Sequence, residues 1–501
     1  MMMLSRKNLH PSFCARYWAG GRAEDFLIAN AGALRPHSRP YMKSWKSLAV
    51  IPLLVANLWA ASPAAGDLPL PESVFPGLDP ILKKAVQQSP RMINQTIDLE
   101  IAENDRIVAR AGLLPNVATS YSYYRSKDRQ ATLYETPNTP NFINSFTLTK
   151  TPYSASVSQP LFYWGERRNT ARVGEIRQSM TEGQYRDGYR QLAQALRGEY
   201  LRLVIVKLGL TKARFYRDFV NSQLQEAEER FAKKVISEAD IIPARISAER
   251  AQIALERNET EMEISLRSFA RLAGLGASFS EQDIPDAIPV IPSASAGLGR
   301  LAADYLKLTE LPTLEASTLR RQLQIEELNY KNSRTRLWPK FSLTIGASQD
   351  EQQNYFGTGA KYKNSSLYGG ITINWQIFDG FAARSAVRSS LARRRQMEND
   401  YKQLTEKLTE DAQLQAKQLD FAAREMSISD RYLISAEGIV YTREDEFRRG
   451  VRSEAEVSQA KIGLYDAQIN AYSARRSYLL AIGDFLGLVV EDPVVANLSN
   501  K

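Results

Sequence analysis

Four short stretches of the chain alternate apolar with polar residues, the period-two pattern of a strand with one apolar face. The clearest stretch reads FSLTIGAS, where Phe341, Leu343, Ile345 and Ala347 alternate with small polar residues. The apolar positions of the other three stretches are Val117, Tyr121 and Tyr123, then Tyr153, Ala155, Val157 and Leu161, and finally Leu367, Ile371, Ile373, Trp375 and Ile377. A tilted membrane-spanning strand needs about ten such residues, but two hairpins of a soluble sheet give the same alternation.

Aromatic residues at the ends of these stretches favour membrane strands, because such residues form girdles at membrane boundaries. They are Tyr123, Tyr124, Tyr153, Phe162, Trp164, Trp338, Tyr368, Trp375 and Phe378. The segment between the first two strands, residues 128–150, is longer and more polar than a minimal turn. We predict an ordinary surface loop there, and a loop that narrows an opening is the alternative.

The rest of the sequence predicts long helices, because it is rich in helix formers and poor in proline. The two longest predicted helices cover residues 166–232 and 381–448, each about 100 Å long at 1.5 Å per residue. Shorter helices are predicted at residues 80–113, 238–272, 313–337 and 454–486. One apolar stripe marks the first long helix at steps of three and four residues: Tyr189, Leu192, Leu196, Tyr200, Leu203, Val206 and Leu210. Two stacked shorter helices can pack along each long one.

The chain contains an internal repeat, visible as four pairs of similar segments in the same order. The clearest pair is FAKKVISEADIIPA at 231–244 and FRRGVRSEAEVSQA at 447–460; the others pair 111–123 with 335–347, 156–165 with 371–380 and 271–276 with 481–487. We therefore predict a first repeat at 78–275, a linker at 276–300, a second repeat at 301–490 and a tail at 491–501.

A secretory signal peptide is predicted at residues 42–66, and a short buried helix is the alternative. Lys43 and Lys46 precede an apolar stretch too short to span a bilayer, and small residues follow it. Residues 1–41 are interpreted as an upstream extension. The eight cations and two acids of residues 1–66 give a net charge of +6, which leaves +3 of the total +9 for the rest of the chain. Nucleic-acid binding is therefore not predicted.

Cys14, His10 and His37 are the only residues of their types, and all three precede the predicted cleavage region. The processed chain would then have no disulfide, no thiolate metal site and no N-terminal lipid-anchored cysteine. It would also lack a histidine general base and a Ser-His or Cys-His nucleophile pair. We predict no cofactor and no enzymatic activity.

Four membrane strands cannot close a barrel, and an open sheet edge in lipid leaves backbone groups unpaired. The chain is therefore expected to oligomerise if its strands lie in a membrane. Two copies would give eight strands around a core of side chains, and three would give twelve strands around a lumen.

The order of these segments resembles the TolC family of outer-membrane efflux proteins. The resemblance rests on the signal peptide, the LLP at 113–115, the strand ending in QPLF at 159–162, the IFDG corner at 377–380 and the duplicated helix turns. It implies a mainly α fold with membrane β-strands: duplicated strand-helix repeats form a trimeric 12-stranded β-barrel continued by a long α-helical barrel. The family implies a passive exit duct of tripartite efflux or type I secretion systems.

The resemblance also implies partners: two further copies of the chain, outer-membrane lipid, a periplasmic adaptor (membrane fusion protein), and an inner-membrane pump of the RND or ABC type. Its periplasmic mouth would be formed by the two helix turns. The matching candidate gate and adaptor-docking residues are Glu238, Asp240, Arg452, Glu454 and Glu456. The other interpretation is helix capping, with Ser237 and Ser453 as N-caps and the acids stabilised by the helix dipole.

Two rival functions remain open in the sequence. A soluble periplasmic coiled-coil adaptor or scaffold would explain export and long helices, but not four strands with aromatic ends. A secreted enzyme that uses carboxylates would need two acids paired in a pocket, and the sequence indicates no such pair.

Overall fold

The structure is a computed structural model that describes residues 69–132, 142–276, 279–292, 301, 303–307, 311–354, 361–489 and 492–498. The predicted upstream extension and signal peptide lie outside these residues. None of the described helices is both long enough and apolar enough to cross a membrane.

Eight α-helices account for most of the described chain. The first five are α1 (Pro71–Val74), α2 (Leu78–Gln88), α3 (Pro90–Ala111), α4 (Glu166–Ala232) and α5 (Glu238–Ala273). The other three are α6 (Leu314–Arg334), α7 (Ala382–Arg448) and α8 (Glu454–Val489). Both long helices, α4 and α7, contain 67 residues, and both returning helices, α5 and α8, contain 36. The predictions for the long helices are confirmed to within one residue at each end.

The helix predicted at residues 80–113 is instead two helices. Ser89 is extended, with φ −66° and ψ 131°, and Pro90 begins α3. Proline has no backbone N–H and disfavours helical geometry in the preceding residue, so Pro90 ends α2 at Gln88. The single predicted helix was therefore wrong at this point.

Helix α4 is the central element of the helical part. It packs against α3 and α5, which follow one another along its length, and against α6 and α8 on its other side. Helix α7 packs against α6 and α8. Across the protein the order is therefore α3–α4–α6–α7 near the sheet and α5–α4–α8–α7 further away.

The apolar stripe of α4 forms the centre of the main hydrophobic core. Six of its seven predicted residues are buried, and Val206 is half-buried. Side chains from α2, α5 and α8 cover the stripe, including Leu82, Phe269 and Phe485, none of which is exposed. The predicted stripe is confirmed.

The sheet is antiparallel and contains β1 (Asn116–Tyr121), β2 (Tyr124–Thr132), β3 (Phe142–Phe162), β4 (Lys340–Asn354) and β5 (Lys361–Asn374). Strands β1 and β2 pair successively with the same side of β3, so the sheet has four strand positions in the order β1/β2–β3–β4–β5. In the register, Val117 is opposite Val157, and Ala155 is opposite Ala347.

Three details of the strand prediction were wrong. Tyr123, predicted in the first strand, lies between the end of β1 at Tyr121 and the start of β2 at Tyr124. The polar segment 128–150 is mostly strand rather than loop, because β2 and β3 pair from Tyr124 with Lys150 to Thr132 with Phe142; residues 133–141 lie outside the described range. Strand β5 ends at Asn374, so Trp375 and Ile377 follow the strand instead of belonging to it.

Candidate functional site

The first helix turn joins α4 to α5 through residues 233–237. Lys234 has a positive φ of 56° and reverses the chain. The hydroxyl of Ser237 donates to Oδ2 of Asp240 at 2.7 Å, and the backbone N–H of Ser237 donates to the same oxygen at 3.0 Å. Asp240 therefore closes a capping box at the start of α5.

The second turn joins α7 to α8 through residues 449–453. Gly450 has a φ of 74°, which suits a helix C-terminus. The backbone N–H of Ser453 donates to Oε2 of Glu456 at 3.1 Å, and Nη1 of Arg452 donates to Oε1 at 2.7 Å. Glu456 has the place in this turn that Asp240 has in the first.

These hydrogen bonds shift the acidity of both capping carboxyls. The hydrogen bonds from the hydroxyl and then the backbone N–H of Ser237 lower the pKa of Asp240. The backbone N–H of Ser453 and then the guanidinium of Arg452 lower the pKa of Glu456. Both carboxyls are therefore held as anions by the cap of their own helix.

The structure separates the five candidate residues into two kinds. Arg452, Glu456 and Asp240 are engaged in local hydrogen bonds that stabilise the turns. Glu238 and Glu454 begin α5 and α8 with exposed side chains. The capping interpretation thus explains Asp240 and Glu456, whereas Glu238 and Glu454 present their charge to solvent.

Tight corners connect the sheet to the long helices at the opposite ends of α4 and α7. Each corner uses two consecutive residues with positive φ, Trp164 with Gly165 and Gly380 with Phe381. The indole Nε1 of Trp164 donates to the carbonyl oxygen of Pro339 at 2.8 Å, so the first corner is fastened to the start of β4.

In the second corner, Oδ2 of Asp379 accepts a hydrogen bond from the backbone N–H of Ala383 at 2.8 Å. The IFDG segment therefore supplies the capping acid at the start of α7.

The sheet has two open edges in a single chain. Every residue of β1 and of β5 is exposed. Apolar side chains on β5 include Leu367, Ile371 and Ile373, with exposed fractions of 84%, 63% and 57%. Exposed backbone along a long strand is a ready surface for pairing with another strand.

Exposed apolar residues also occur on the helices next to the two sheet edges, α7 on the β5 side and α3 and α5 on the β1 side. The sequence analysis did not predict them. On α7, these residues recur at intervals of seven: Leu414, Phe421 and Ile428, and then Tyr432 and Ile439. On α3 and α5 they are Ile93, Ile97, Ile101 and Val108, and Ile242, Ile246, Ile253 and Ile264. A seven-residue interval is the signal of helix-helix packing in a coiled coil.

Comparisons with known proteins agree with this architecture. The family model described as "Outer membrane efflux protein" matches residues 81–275 and 308–482. No match was found among curated protein sequences.

Several solved structures share the fold. The outer membrane protein VceC from Vibrio cholerae is 15% identical, with a TM-score of 0.57, 82% of this chain and 96% of that chain covered. The CmeC outer membrane channel of Campylobacter jejuni is 15% identical, with a TM-score of 0.60 and coverage of 84% and 88%. The open state of the MtrE outer membrane channel of Neisseria gonorrhoeae is 14% identical, with a TM-score of 0.58 and coverage of 83% and 89%.

The matched residues span both halves of the chain and most of its length. This family match supports the channel interpretation over the soluble periplasmic adaptor. Members of the family are channels rather than enzymes. The chain belongs to the outer membrane efflux protein family.

Proposed function

We propose that three copies of this chain form the exit duct of a tripartite efflux or type I secretion system, a passive conduit from the periplasm to the exterior. The observation that supports this most directly is the pair of open edges. Strand β1 and helices α3 and α5 form one side of the protein, and β5 and α7 form the other. Each side has unpaired strand backbone and exposed apolar side chains.

The two open sides differ, so one copy would pair its β1 side with the β5 side of the next. Such head-to-tail contacts form rings when the rotation closes. Three copies would supply twelve strand positions, enough for a barrel with a lumen. Each copy has four helices side by side at any height, so three copies would supply twelve helices. The wall of strands would therefore continue as a wall of helices.

The location follows from the same arrangement. The exposed apolar face of the sheet would contact outer-membrane lipid, and the helices would extend into the periplasm. Residues 42–66 would direct export, and residues 78–275 and 301–490 would be the two repeats, joined by a linker at 276–300. CmeC and MtrE are both described as outer membrane channels, and we extend that location to this chain.

The two helix turns would then form the periplasmic mouth, where an adaptor and an inner-membrane pump of the RND or ABC type engage the duct. Of the five candidates, Glu238 and Glu454 are the more suitable docking or gating acids, because their exposed carboxylates do not take part in the capping hydrogen bonds of Asp240 and Glu456. Glu456, Asp240 and Arg452 would hold the turns in shape. Three copies of an exposed acid around one axis would favour cations at the entrance.

The assembly is tested on protein extracted from an outer-membrane fraction. Light scattering of the detergent complex should give three chains per particle, and unheated samples should migrate differently from heated ones in electrophoresis. Leu367→Asp, which places a charge on the apolar face of β5, should reduce the trimer fraction. Asn364→Asp adds the same charge on the opposite, polar face of that strand and should leave the trimer fraction unchanged. A wild-type monomer or dimer found in the periplasm would contradict the proposal.

The mouth is tested separately in single-channel recordings. Glu454→Gln should reduce cation selectivity more than Glu456→Gln, because only the first carboxylate is not engaged in a cap. Equal and unchanged selectivity in both variants would show that the turns serve as caps alone.

A further inference from the structure

A cavity of about 720 Å³ lies beside the middle of α4, where α3 begins and where α5 and α8 approach their ends. Its polar lining includes Ser89, Arg91, Arg271 and Arg476. Pro90, Ala195, Leu272 and Leu480 supply apolar surface.

Ser89 is the first feature that points to a ligand. The residue is only 1% exposed, and its Oγ has no hydrogen-bond partner. It precedes α3, and its side chain does not cap that helix. A buried hydroxyl without a partner is costly, and the N-terminus of a 22-residue helix attracts anions through its free N–H groups and its dipole.

Three guanidinium groups line the same cavity without a carboxylate within ion-pair distance among the described residues. Arg271 forms neither a hydrogen bond nor an ion pair within the described chain. Nε of Arg476 donates to the carbonyl oxygen of Gly198 at 3.1 Å, and Nη2 of Arg91 donates to the neutral Gln191 at 2.5 Å. Arginine is well suited to bidentate binding of carboxylate or phosphate.

The cavity has two acids, Glu199 and Asp484, against its three arginines. Burial, the larger effect, lowers the pKa of the Arg476 guanidinium, whereas the charge of Glu199 also acts on Arg476 and raises it. Glu199 forms an ion pair with Arg202 at 2.9 Å. Asp484 accepts a hydrogen bond from Gln194 at 2.9 Å, and loss of surrounding water raises the pKa of its carboxyl.

We propose that this cavity binds an amphipathic organic anion, with its carboxylate at Ser89, Arg271 and Arg476 and its apolar body against Pro90, Leu272 and Leu480. The volume is within the range of small-molecule sites, which are mostly apolar with a few polar groups that fix orientation. Inorganic phosphate would satisfy only the charged end and is expected to bind more weakly.

The test is calorimetric titration of the detergent-solubilised full chain with 2-naphthoate, with the neutral 2-naphthamide and inorganic phosphate as separate probes. Naphthoate should bind at least about tenfold more tightly than either, because the charged end and the apolar body each contribute. Arg271→Gln and Arg476→Gln should each weaken naphthoate binding about tenfold, and Ser89→Ala should weaken it several-fold.

Arg267→Gln is the matched control, because Arg267 lies one turn before Arg271 on α5, is exposed, and pairs with Glu263 outside the cavity. It should leave binding unchanged. Thermal unfolding without ligand identifies any variant that fails to fold. If one of Arg271→Gln and Arg476→Gln does not fold, the other provides the test. Equal affinity for naphthoate and naphthamide, or wild-type affinity in both cavity arginine variants, would overturn the proposal.

Discussion

Arg197 in the middle of α4 forms a buried ion pair with Asp492, 295 residues further along the chain. Nη1 of Arg197 donates to Oδ2 of Asp492 at 2.6 Å, and neither side chain is more than 1% exposed. The same guanidinium also binds Glu72 in α1. One side chain of the central helix therefore holds segments from near both ends of the described chain.

The electrostatics of Arg197 favour this arrangement. Burial alone would lower the pKa of Arg197, but hydrogen bonds and charges from Asp492 and Glu72 raise it above its ordinary value. The guanidinium thus stays charged in the core, where both acids depend on it for neutralisation.

Arg197→Met is expected to destabilise the protein by about 3–5 kcal/mol, because it leaves the buried Asp492 and the partly buried Glu72 without a counter-charge. The triple variant Arg197→Met, Glu72→Gln, Asp492→Asn should recover part of that loss. Thermal and denaturant unfolding of the detergent complex would measure both. Arg202→Met is the control, because its ion pair with Glu199 is partly exposed and should contribute less than about 1 kcal/mol. Equal effects of Arg197→Met and Arg202→Met would contradict a structural role for the buried pair.

The capping serines predict a local effect in the helix turns. Ser237→Ala and Ser453→Ala remove the hydroxyls of the two capping boxes and should speed hydrogen exchange in the first turns of α5 and α8 about fivefold, the loss expected of an N-cap. Ser247→Ala is a matched control, because its hydroxyl bonds a backbone carbonyl within α5. Hydrogen exchange in the first turn of α5 should not increase in this variant. Unchanged exchange in both cap variants would show that the turns are held by other contacts.

The lowered pKa values of Asp240 and Glu456 predict that the turns loosen in acid. Their folded pKa values lie below the unfolded ones, so their stabilising effect is complete above the ordinary carboxyl pKa of about 4. It is lost as pH falls through the lowered folded values. Hydrogen exchange in the first turns of α5 and α8, corrected for the intrinsic rate, should rise over that range. Asp240→Asn should remove the pH dependence in α5 alone, and a dependence that persists there would assign it to another group.

Local sequence patterns predicted the parts of the fold that local forces decide. The ends of α4 and α7 follow from uninterrupted helical periodicity between tight corners, and the caps at Ser237 and Ser453 follow from residue type. Pro90 predicts the break at Ser89, but the prediction of a single helix at residues 80–113 did not use it. The polar composition of segment 128–150 did not indicate strands, because the pairing of β2 with the first part of β3 determines the conformation there more than composition does.

Long-range partners were beyond the reach of a single sequence. Nothing in the residues around Arg197 indicates Asp492 as its partner, because the folded core alone brings them together. The cavity at Ser89 likewise depends on where four helices meet. In the turns, the sequence named the five charged residues but could not separate Asp240 and Glu456, which cap helices, from the exposed Glu238 and Glu454.

The exposed apolar residues of α7 predict a contact with the next copy in the proposed trimer. Phe421 is 62% exposed and lies in the seven-residue series. Phe421→Glu should shift the detergent-extracted protein from trimer towards monomer in light scattering, because burying an unpaired charge is unfavourable. Ser427→Glu adds the same charge at an exposed polar position about 120° around that helix from Phe421 and should leave the trimer intact. A trimer that tolerates Phe421→Glu would place this surface in contact with solvent or another partner.

Gly274 predicts a steric effect where the end of α5 meets the end of α2. It ends α5 with a φ of +76°, and a Cβ there would collide with the backbone carbonyl of Gln88, immediately before Ser89. Gly276 also has a positive φ, +63°, but a Cβ there would meet no atom within 4 Å. Gly276→Ala should therefore lower the free energy of unfolding only by the conformational penalty, about 1–2 kcal/mol. Gly274→Ala should cost clearly more, because the backbone of α2 cannot rotate away as a side chain would. Unfolding measurements on the two variants separate the contributions, and equal losses would show that α2 shifts freely against α5.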